Sequence, residues 1–286
     1  MFDRLALIGC GLIGGSFALA LRAAGQVREV VGYDRDAAAA QRAVELGIVD
    51  RREARLADAV TGADLVVVAA PVAQAEALFV AIAASLAPHA LVTDVGSTKR
   101  DVIAAARRGL GDAAARFVPG HPIAGREVHG PDAADADLFR NRRVLLTPLA
   151  DNAAADVARI AAAWTACGAR VDCLDPAVHD AVLSSVSHLP HLLAYALVAQ
   201  IADADDAALK FSLAGGGFRD FTRIAASSPE MWRDIAMANR DALLRDLDAY
   251  RSQLDALRGW IAGGDADSVE ALFVKASAAR GAWRPG

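Results

Sequence analysis

The sequence predicts an α/β protein: a doubly wound parallel sheet in the N-terminal part, followed by an all-helical domain. Three observations predict it. Short apolar runs alternate with helical stretches through the first half, a glycine-rich turn joins the first run to the first helix, and no strand-like run follows Asp175. The runs Leu5-Ala6-Leu7-Ile8, Val30-Val31-Gly32-Tyr33, Leu65-Val66-Val67-Val68 and Leu91-Val92-Thr93 lack polar alternation. That pattern fits strands covered on both faces, as in a parallel sheet. Helical segments are expected near 12–25, 36–47, 73–87 and 98–109, and a βαβα succession implies a doubly wound fold. Further strands are expected near Arg116 to Pro119, Val144 to Thr147 and Arg170 to Cys173, with a helix at about 152–167. Helical patterns then cover roughly 177–200, 203–212, 229–238, 239–262 and 266–280. The expected domains are therefore residues 1–174 and 175–286.

Composition narrows the function classes. The chain has 286 residues, 55% hydrophobic and 23% charged, which is a globular profile with length for a substantial core. Its formal charge of -5 and its lack of basic blocks argue against nucleic acid, which demands phosphate neutralisation. The apolar runs read as shorter than the roughly 20 residues of a membrane span, so no membrane is expected. Three cysteines, Cys10, Cys167 and Cys173, offer neither a disulfide framework nor metal-like spacing. With no signal-peptide layout at the start, the expected location is the cytoplasm.

The glycine turn is Gly9-Cys10-Gly11-Leu12-Ile13-Gly14. It follows a buried strand and opens a helix, and Asp34 ends the next strand 20 residues after Gly14, the full context of a Rossmann-type dinucleotide site. Gly9 permits the tight turn, Gly11 lets backbone approach a pyrophosphate and Gly14 lets helix and strand close together. Leu12 and Ile13 carry the first helical N–H groups toward the anion. Asp34 is expected to accept from the adenosine ribose and to repel a 2′-phosphate, since like charges near 4 Å repel by about 4 kcal/mol at an effective dielectric of 20. NAD is favoured on this ground. The neighbouring Arg35 leaves NADP open, because an arginine there can receive the 2′-phosphate.

A second loop, Gly120-His121-Pro122-Ile123-Ala124-Gly125-Arg126-Glu127, is expected to leave the carboxyl edge of the sheet, where ligands of such folds bind. His121 there suits a general base. Asp94-Val95-Gly96-Ser97-Thr98-Lys99 places the Ser97 hydroxyl at the same edge. Farther on come Ser187-His188-Leu189-Pro190-His191, then Gly215-Gly216-Gly217-Phe218-Arg219-Asp220-Phe221-Thr222-Arg223-Ile224-Ala225, Met231-Trp232 and Asn239. Pro190 would free the carbonyl of Val186 and kink its helix. His179, His188 and His191 lack the Cys or carboxylate company of a zinc site, so no metal is expected.

Together and in this order, these segments resemble the prephenate/arogenate (cyclohexadienyl) dehydrogenase family, TyrA, from Leu5 to about Asn239. The resemblance implies oxidative decarboxylation of prephenate or arogenate, with His121 accepting the proton of the substrate hydroxyl and Ser97 orienting both groups. It implies that Arg223 binds a substrate carboxylate and that His188 touches substrate. Arg126 stands where such sequences often carry a small hydroxylic residue; it either meets the pyruvyl carboxylate or points to solvent. Arg219 and Asp220 read as a local ion pair. The resemblance also implies a homodimer through the helical domain. Two other readings remain: a β-hydroxyacid dehydrogenase or imine reductase, which would use a lysine or aspartate in the helical domain, and a non-catalytic NAD-binding redox regulator.

Overall fold

A computed structural model describes residues 1–126 and 128–284; Glu127 of the histidine motif and the last two residues lie outside it. The first half follows β1 (Phe2–Ile8), α1 (Leu12–Ala23), β2 (Val27–Tyr33), α2 (Ala37–Glu45), β3 (Arg51–Arg52), α3 (Leu56–Val60), β4 (Leu65–Val68), α4 (Ala75–Ala83), β5 (Leu91–Asp94), α5 (Arg100–Leu110) and β6 (Phe117–Val118). These six strands form one parallel sheet in the order β3-β2-β1-β4-β5-β6. The unbroken apolar runs have the expected cause. Along β1, Leu5 and Leu7 enter one core with Phe17 and Trp164, while Ala6 and Ile8 enter the opposite core with Phe79 and Ile82. Side chains alternate faces along a strand, so a strand between two helical layers needs apolar residues at every position.

At Pro119 the chain leaves this sheet for a second, three-stranded one: β7 (Gly120–Pro122), β8 (Arg143–Leu146) and β9 (Arg170–Cys173), in that order. α6 (Ala154–Ala166) joins the last two, which are parallel, while β7 runs antiparallel to β8. His121 therefore belongs to a strand and stands opposite Leu145, which corrects the expectation of a loop. A three-residue segment containing Gly and Pro has little strand propensity of its own. Pro122 is tolerated because β7 is an edge, where one row of N–H groups is not needed. β3 and α3, of two and five residues, were also not expected; neither is long enough to show a period.

No strand follows Cys173 among the described residues. The helices are α7 (Pro176–Leu183), α8 (Leu189–Ala202), α9 (Ala207–Ser212), α10 (Gly216–Thr222), α11 (Pro229–Ala238), α12 (Arg240–Gly263) and α13 (Ala266–Ala282). Asp175 starts α7 sharply, its carboxylate accepting from the N–H groups of Ala177 and Val178, with Pro176 in the first helical position. Between α7 and α8 the helix does not break at Pro190. It widens into a π-turn over Ser184–His188, where the Leu189 N–H donates to the Ser184 carbonyl five residues back. The proline ring excludes an ordinary turn against Val186, and the wider turn accommodates it.

The merged helix Pro176–Ala202 has 27 residues, and an 18-residue window in it reaches a mean hydropathy of 1.4. By length and composition alone it could cross a membrane, which corrects the expectation that every apolar run is too short. Only 22% of that window is buried within the chain. Val178, Val182 and Val186, spaced by four residues, form an exposed stripe along it, while His179, Asp180 and His188 are buried.

Candidate active site

Steric limits dictate the glycine turn. Gly9 has φ +95°, and a Cβ on it would lie 2.3 Å from the Ala69 carbonyl oxygen; a Cβ on Gly14 would lie 2.3 Å from the Gly9 oxygen. Both positions are closed to any other residue. Gly11 differs, because a Cβ there would meet nothing within 4 Å. It opens α1 without a side-chain cap, which leaves the first N–H groups of the helix without that partner, as a bound anion requires. Asp34 ties this turn to the end of β2. Its carboxylate accepts from the N–H of Cys10 at 2.8 Å and of Asp36 at 2.9 Å, and each oxygen keeps a lone pair for a ribose hydroxyl. Arg35 is exposed beside it. Burial and the Asp34 charge push the Cys10 thiol up to about 12, so it has no nucleophilic role.

The second half of the site is a buried polar chain that crosses from the sheets to the helices. Lys99, wholly buried, donates from Nζ to Asp94 Oδ2 at 2.6 Å and to the Gly120 carbonyl at 2.7 Å. Asp94 also accepts from the N–H groups of Gly96 and Gly120. Both backbone groups of Gly120 are thereby held, and with them the start of the strand that carries His121. Across the gap, His121 Nδ1 lies 2.9 Å from His179 Nε2, and His179 Nδ1 lies 2.9 Å from Asp180 Oδ1. Asp180 accepts in addition from the N–H of Lys99 at 2.8 Å and of Arg100 at 3.0 Å, satisfying the first turn of α5 from a residue on α7.

Asn239 closes the network. Its Nδ2 donates to the Asp180 carbonyl at 2.8 Å and to His188 Nδ1 at 3.1 Å. Since Nδ1 accepts, neutral His188 carries its proton on Nε2; that N–H is buried with no partner at hydrogen-bond distance among the described residues, the Ser97 backbone acting on the ring from nearby. The indole Nε1 of Trp232 is likewise buried and unpartnered, while its ring stacks on His191 at 3.5 Å between centroids. Two orphaned donors on neighbouring rings fit a ligand that brings acceptors, such as a carboxylate. Burial holds the imidazole of His121 well below its usual proton affinity, with the nearby His179 and Lys99 acting the same way. Burial likewise lowers His188 to about 4, against a smaller opposing effect of the Asp180 charge. Both rings are neutral at pH 7.

Comparison with known proteins agrees with this two-part site. Residues 17–173 match the model described as the prephenate dehydrogenase nucleotide-binding domain, and residues 175–275 match the prephenate dehydrogenase dimerization domain. The chain belongs to the prephenate dehydrogenase family. A curated relative, the cyclohexadienyl dehydrogenase of Zymomonas mobilis, is 37% identical over 284 residues, spanning 98% of this chain and 96% of the relative. The prephenate dehydrogenase of Bacillus subtilis is 37% identical over 96% of this chain and 74% of its own length. Among solved structures, prephenate dehydrogenase from Aquifex aeolicus in complex with hydroxyphenyl propionate and NAD+ superposes with a TM-score of 0.91 at 32% identity, covering 98% of each chain. Synechocystis arogenate dehydrogenase superposes at 0.81 with 30% identity, over 97% of this chain and 98% of that one. A ketopantoate reductase from Ralstonia solanacearum, 15% identical with a TM-score of 0.57, shares the fold alone.

Within this member of the prephenate dehydrogenase family, the residues expected from sequence separate into two groups. His121 and His188 are buried in one connected network, and the Ser97 backbone lies close enough to His188 to favour its charged form. The Ser97 side chain is half-buried. Arg223 and Arg126 are exposed. Arg223 begins the short turn Arg223–Ala226, which packs against α8, the helix that His188 leads into. Arg126 forms an ion pair with Asp135, whose N–H donates to Ser16 on α1. Arg219 and Asp220 form the expected surface pair at 3.7 Å.

Sequence reasoning missed the roles of Lys99, His179 and Asp180. In the sequence His179 reads only as one of three histidines, with His188 and His191, that lack the company of a zinc site. The signals were present: Lys99 is one of three lysines and stands five residues after an aspartate at a strand end. His179-Asp180 is an adjacent pair in an otherwise apolar helix.

Proposed function

We propose that this chain oxidises prephenate, arogenate or both, with loss of the ring carboxylate as carbon dioxide, in tyrosine biosynthesis. The observation that carries the reading is a buried, neutral His121 whose Nδ1 is held by His179 while Nε2 has no hydrogen bond among the described residues, within a chain of this family. The glycine turn and Asp34 would hold NAD, whose nicotinamide ring supplies a hydride acceptor when bound. Gly9, Gly11 and Gly14, with the first N–H groups at Leu12 and Ile13, would receive the pyrophosphate, and Asp34 the ribose. Arg35 is the residue through which NADP would compete.

On the protein side, His121 takes the proton of the substrate's ring hydroxyl, and Ser97 orients that hydroxyl. Decarboxylation then leaves an aromatic ring, whose stability drives the reaction. The remaining carboxylate needs fixed donors. Arg223 can bind it in a bidentate fork, with the orphaned N–H of His188 a second donor. Arg126, held by Asp135, is assigned to the rim of the site rather than to the pyruvyl group. We divide the chain functionally at residue 174, with 1–174 binding the cofactor and 175–286 serving the substrate and the dimer. The exposed valine stripe on the merged helix, the exposed apolar residues Leu244, Leu254, Ile261 and Phe273, and an open apolar groove between α12 and α13 lined by Trp260, Ile261, Val269 and Phe273 support a homodimer through this region. A cytoplasmic location accords with three free cysteines.

The test is a four-way assay of NADH and NADPH formation with prephenate and with arogenate. NADH with at least one substrate is expected; no reduced nucleotide in any of the four would contradict the reading.

A further inference from the structure

We infer that His179 and Asp180 are positioning residues that act through His121, fixing the tautomer that leaves its Nε2 bare and sharing the charge it gains. The inference deepens the proposed function and rests on it for the identity of the proton donor, but its geometry stands apart. Proton placement follows from the acceptor side. Asp180 is an acceptor only, so the contact at 2.9 Å requires the proton on His179 Nδ1. When Nδ1 carries the only ring proton of His179, its Nε2 has a lone pair, and the contact at 2.9 Å then puts a proton on His121 Nδ1. Neutral His121 is left with its lone pair on Nε2. One carboxylate thus sets the tautomers of two rings in series.

The relay also addresses an energetic difficulty. His121 is buried, and burial opposes the cation that it becomes on accepting a proton. When the substrate O–H bond breaks and an N–H bond forms at His121 Nε2, positive charge appears on that ring. The Nδ1–H then donates to His179 as a charge-assisted hydrogen bond, and His179 is polarised in turn by the anionic Asp180. Asp180 stays charged in its buried place because His179 and the N–H groups of Lys99 and Arg100 hold it below the usual carboxylate range against burial. The other ionisable groups around the relay are Lys99, paired with Asp94; His188, kept neutral by burial; Arg100, 3.6 Å from Asp180; and Asp101 on α5, whose carboxyl burial raises above its usual range, with Asp180 adding to that rise.

Asp180 also completes the first turn of α5, so its removal would mix two effects. His179 is the cleaner site. His179→Leu removes the acceptor for His121, whereas His179→Gln keeps an oxygen near the Nε2 position. The expected result is a fall in kcat of about a hundredfold or more for His179→Leu, with substrate KM and NAD+ affinity within about threefold of the unmodified chain. His179→Gln should recover part of the loss. Unchanged kcat and an unchanged pH profile in His179→Leu would overturn the inference, as would equal losses in both variants accompanied by lost NAD+ affinity.

A second measurement needs no turnover. Nitrogen-15 NMR of the imidazoles in the cofactor-free chain should find protons on Nδ1 of both His121 and His179 at neutral pH. A proton on His121 Nε2 would overturn the relay whatever the kinetics show. If both substrates fail with the unmodified chain while the tautomers are as stated, the functional reading falls and the relay stands.

Discussion

His121 earns its place through neighbours that hold each of its degrees of freedom. Lys99 and Asp94 fix the backbone before it, pairing with Leu145 fixes its strand, and His179 fixes its ring. This density of constraint is what a general base needs, since proton transfer demands hydrogen-bond geometry before it demands a matched pKa. The direction of its titration makes a prediction. A group whose proton affinity is depressed stays neutral, and so able to accept, to a lower pH than an ordinary imidazole. The fall of kcat/KM on acidification, which reports the free enzyme, should therefore begin well below the reference value of about 6.5. From sequence alone that limb would be expected near 6.5. A midpoint at or above it would show that the ring is solvated in solution. His121 itself was legible in the sequence because glycines and a proline frame it. Lys99 and Asp180 were legible only in part: Lys99 stands five residues after its partner Asp94, but the contacts that give the two their place span 21 and 81 residues, which no local pattern encodes.

At the scale of single elements, two turns shape the candidate site. The turn from β1 to α1 was legible as a turn, since Gly14 is demanded by the Gly9 carbonyl five residues away and Gly9 by its positive φ and the Ala69 carbonyl, whereas no contact demands Gly11. Gly11 gives a test that separates folding from binding. Gly11→Ala meets no atom within 4 Å and requires no positive φ, so the melting temperature should stay within a few degrees. NAD+ affinity should fall by about tenfold or more, because the new methyl occupies space that a pyrophosphate needs, at a cost of about 1.4 kcal/mol or above. Unchanged affinity by calorimetry would remove the cofactor from this turn. The π-turn at Ser184–His188 was half legible. Pro190 announced a disturbance at Val186, but whether a helix answers a proline by kinking or by widening depends on what packs around it. Here the wider turn sets His188 beside Asn239, the residue between α11 and α12.

For the whole molecule, the parallel sheet and the change to helices near residue 174 follow from patterns with long runs, and both were readable. The second, three-stranded sheet was readable only as separate strands. Its order depends on pairing of a three-residue edge with a strand more than twenty residues away. The helix expected over 177–200 was readable as one element, but its apolar length was not, because His179, Asp180 and His188 interrupt the apolar run in sequence while the structure carries it through to Ala202. That helix now carries a prediction about assembly. Its exposed stripe leaves Val182 and Val186 46% and 68% accessible in the single chain, more apolar surface than an isolated helix face normally shows to water. The double variant Val182→Glu/Val186→Glu should raise the dimer dissociation constant about a hundredfold or more, since unpaired carboxylates are costly to bury. Light scattering reads the result directly, and a dimer of unchanged affinity would move the interface elsewhere on the helical domain.

All three scales converge on one claim, that a neutral, tautomer-fixed His121 is the base of a hydride-transfer site whose cofactor sits on the glycine turn. The most direct measurement is turnover by His121→Asn with prephenate and NAD+, read together with NAD+ binding. The account predicts that kcat falls by roughly 10²–10⁴-fold, the usual contribution of a general base, while the dissociation constant for NAD+ stays within about threefold. Turnover at the unmodified rate would contradict it.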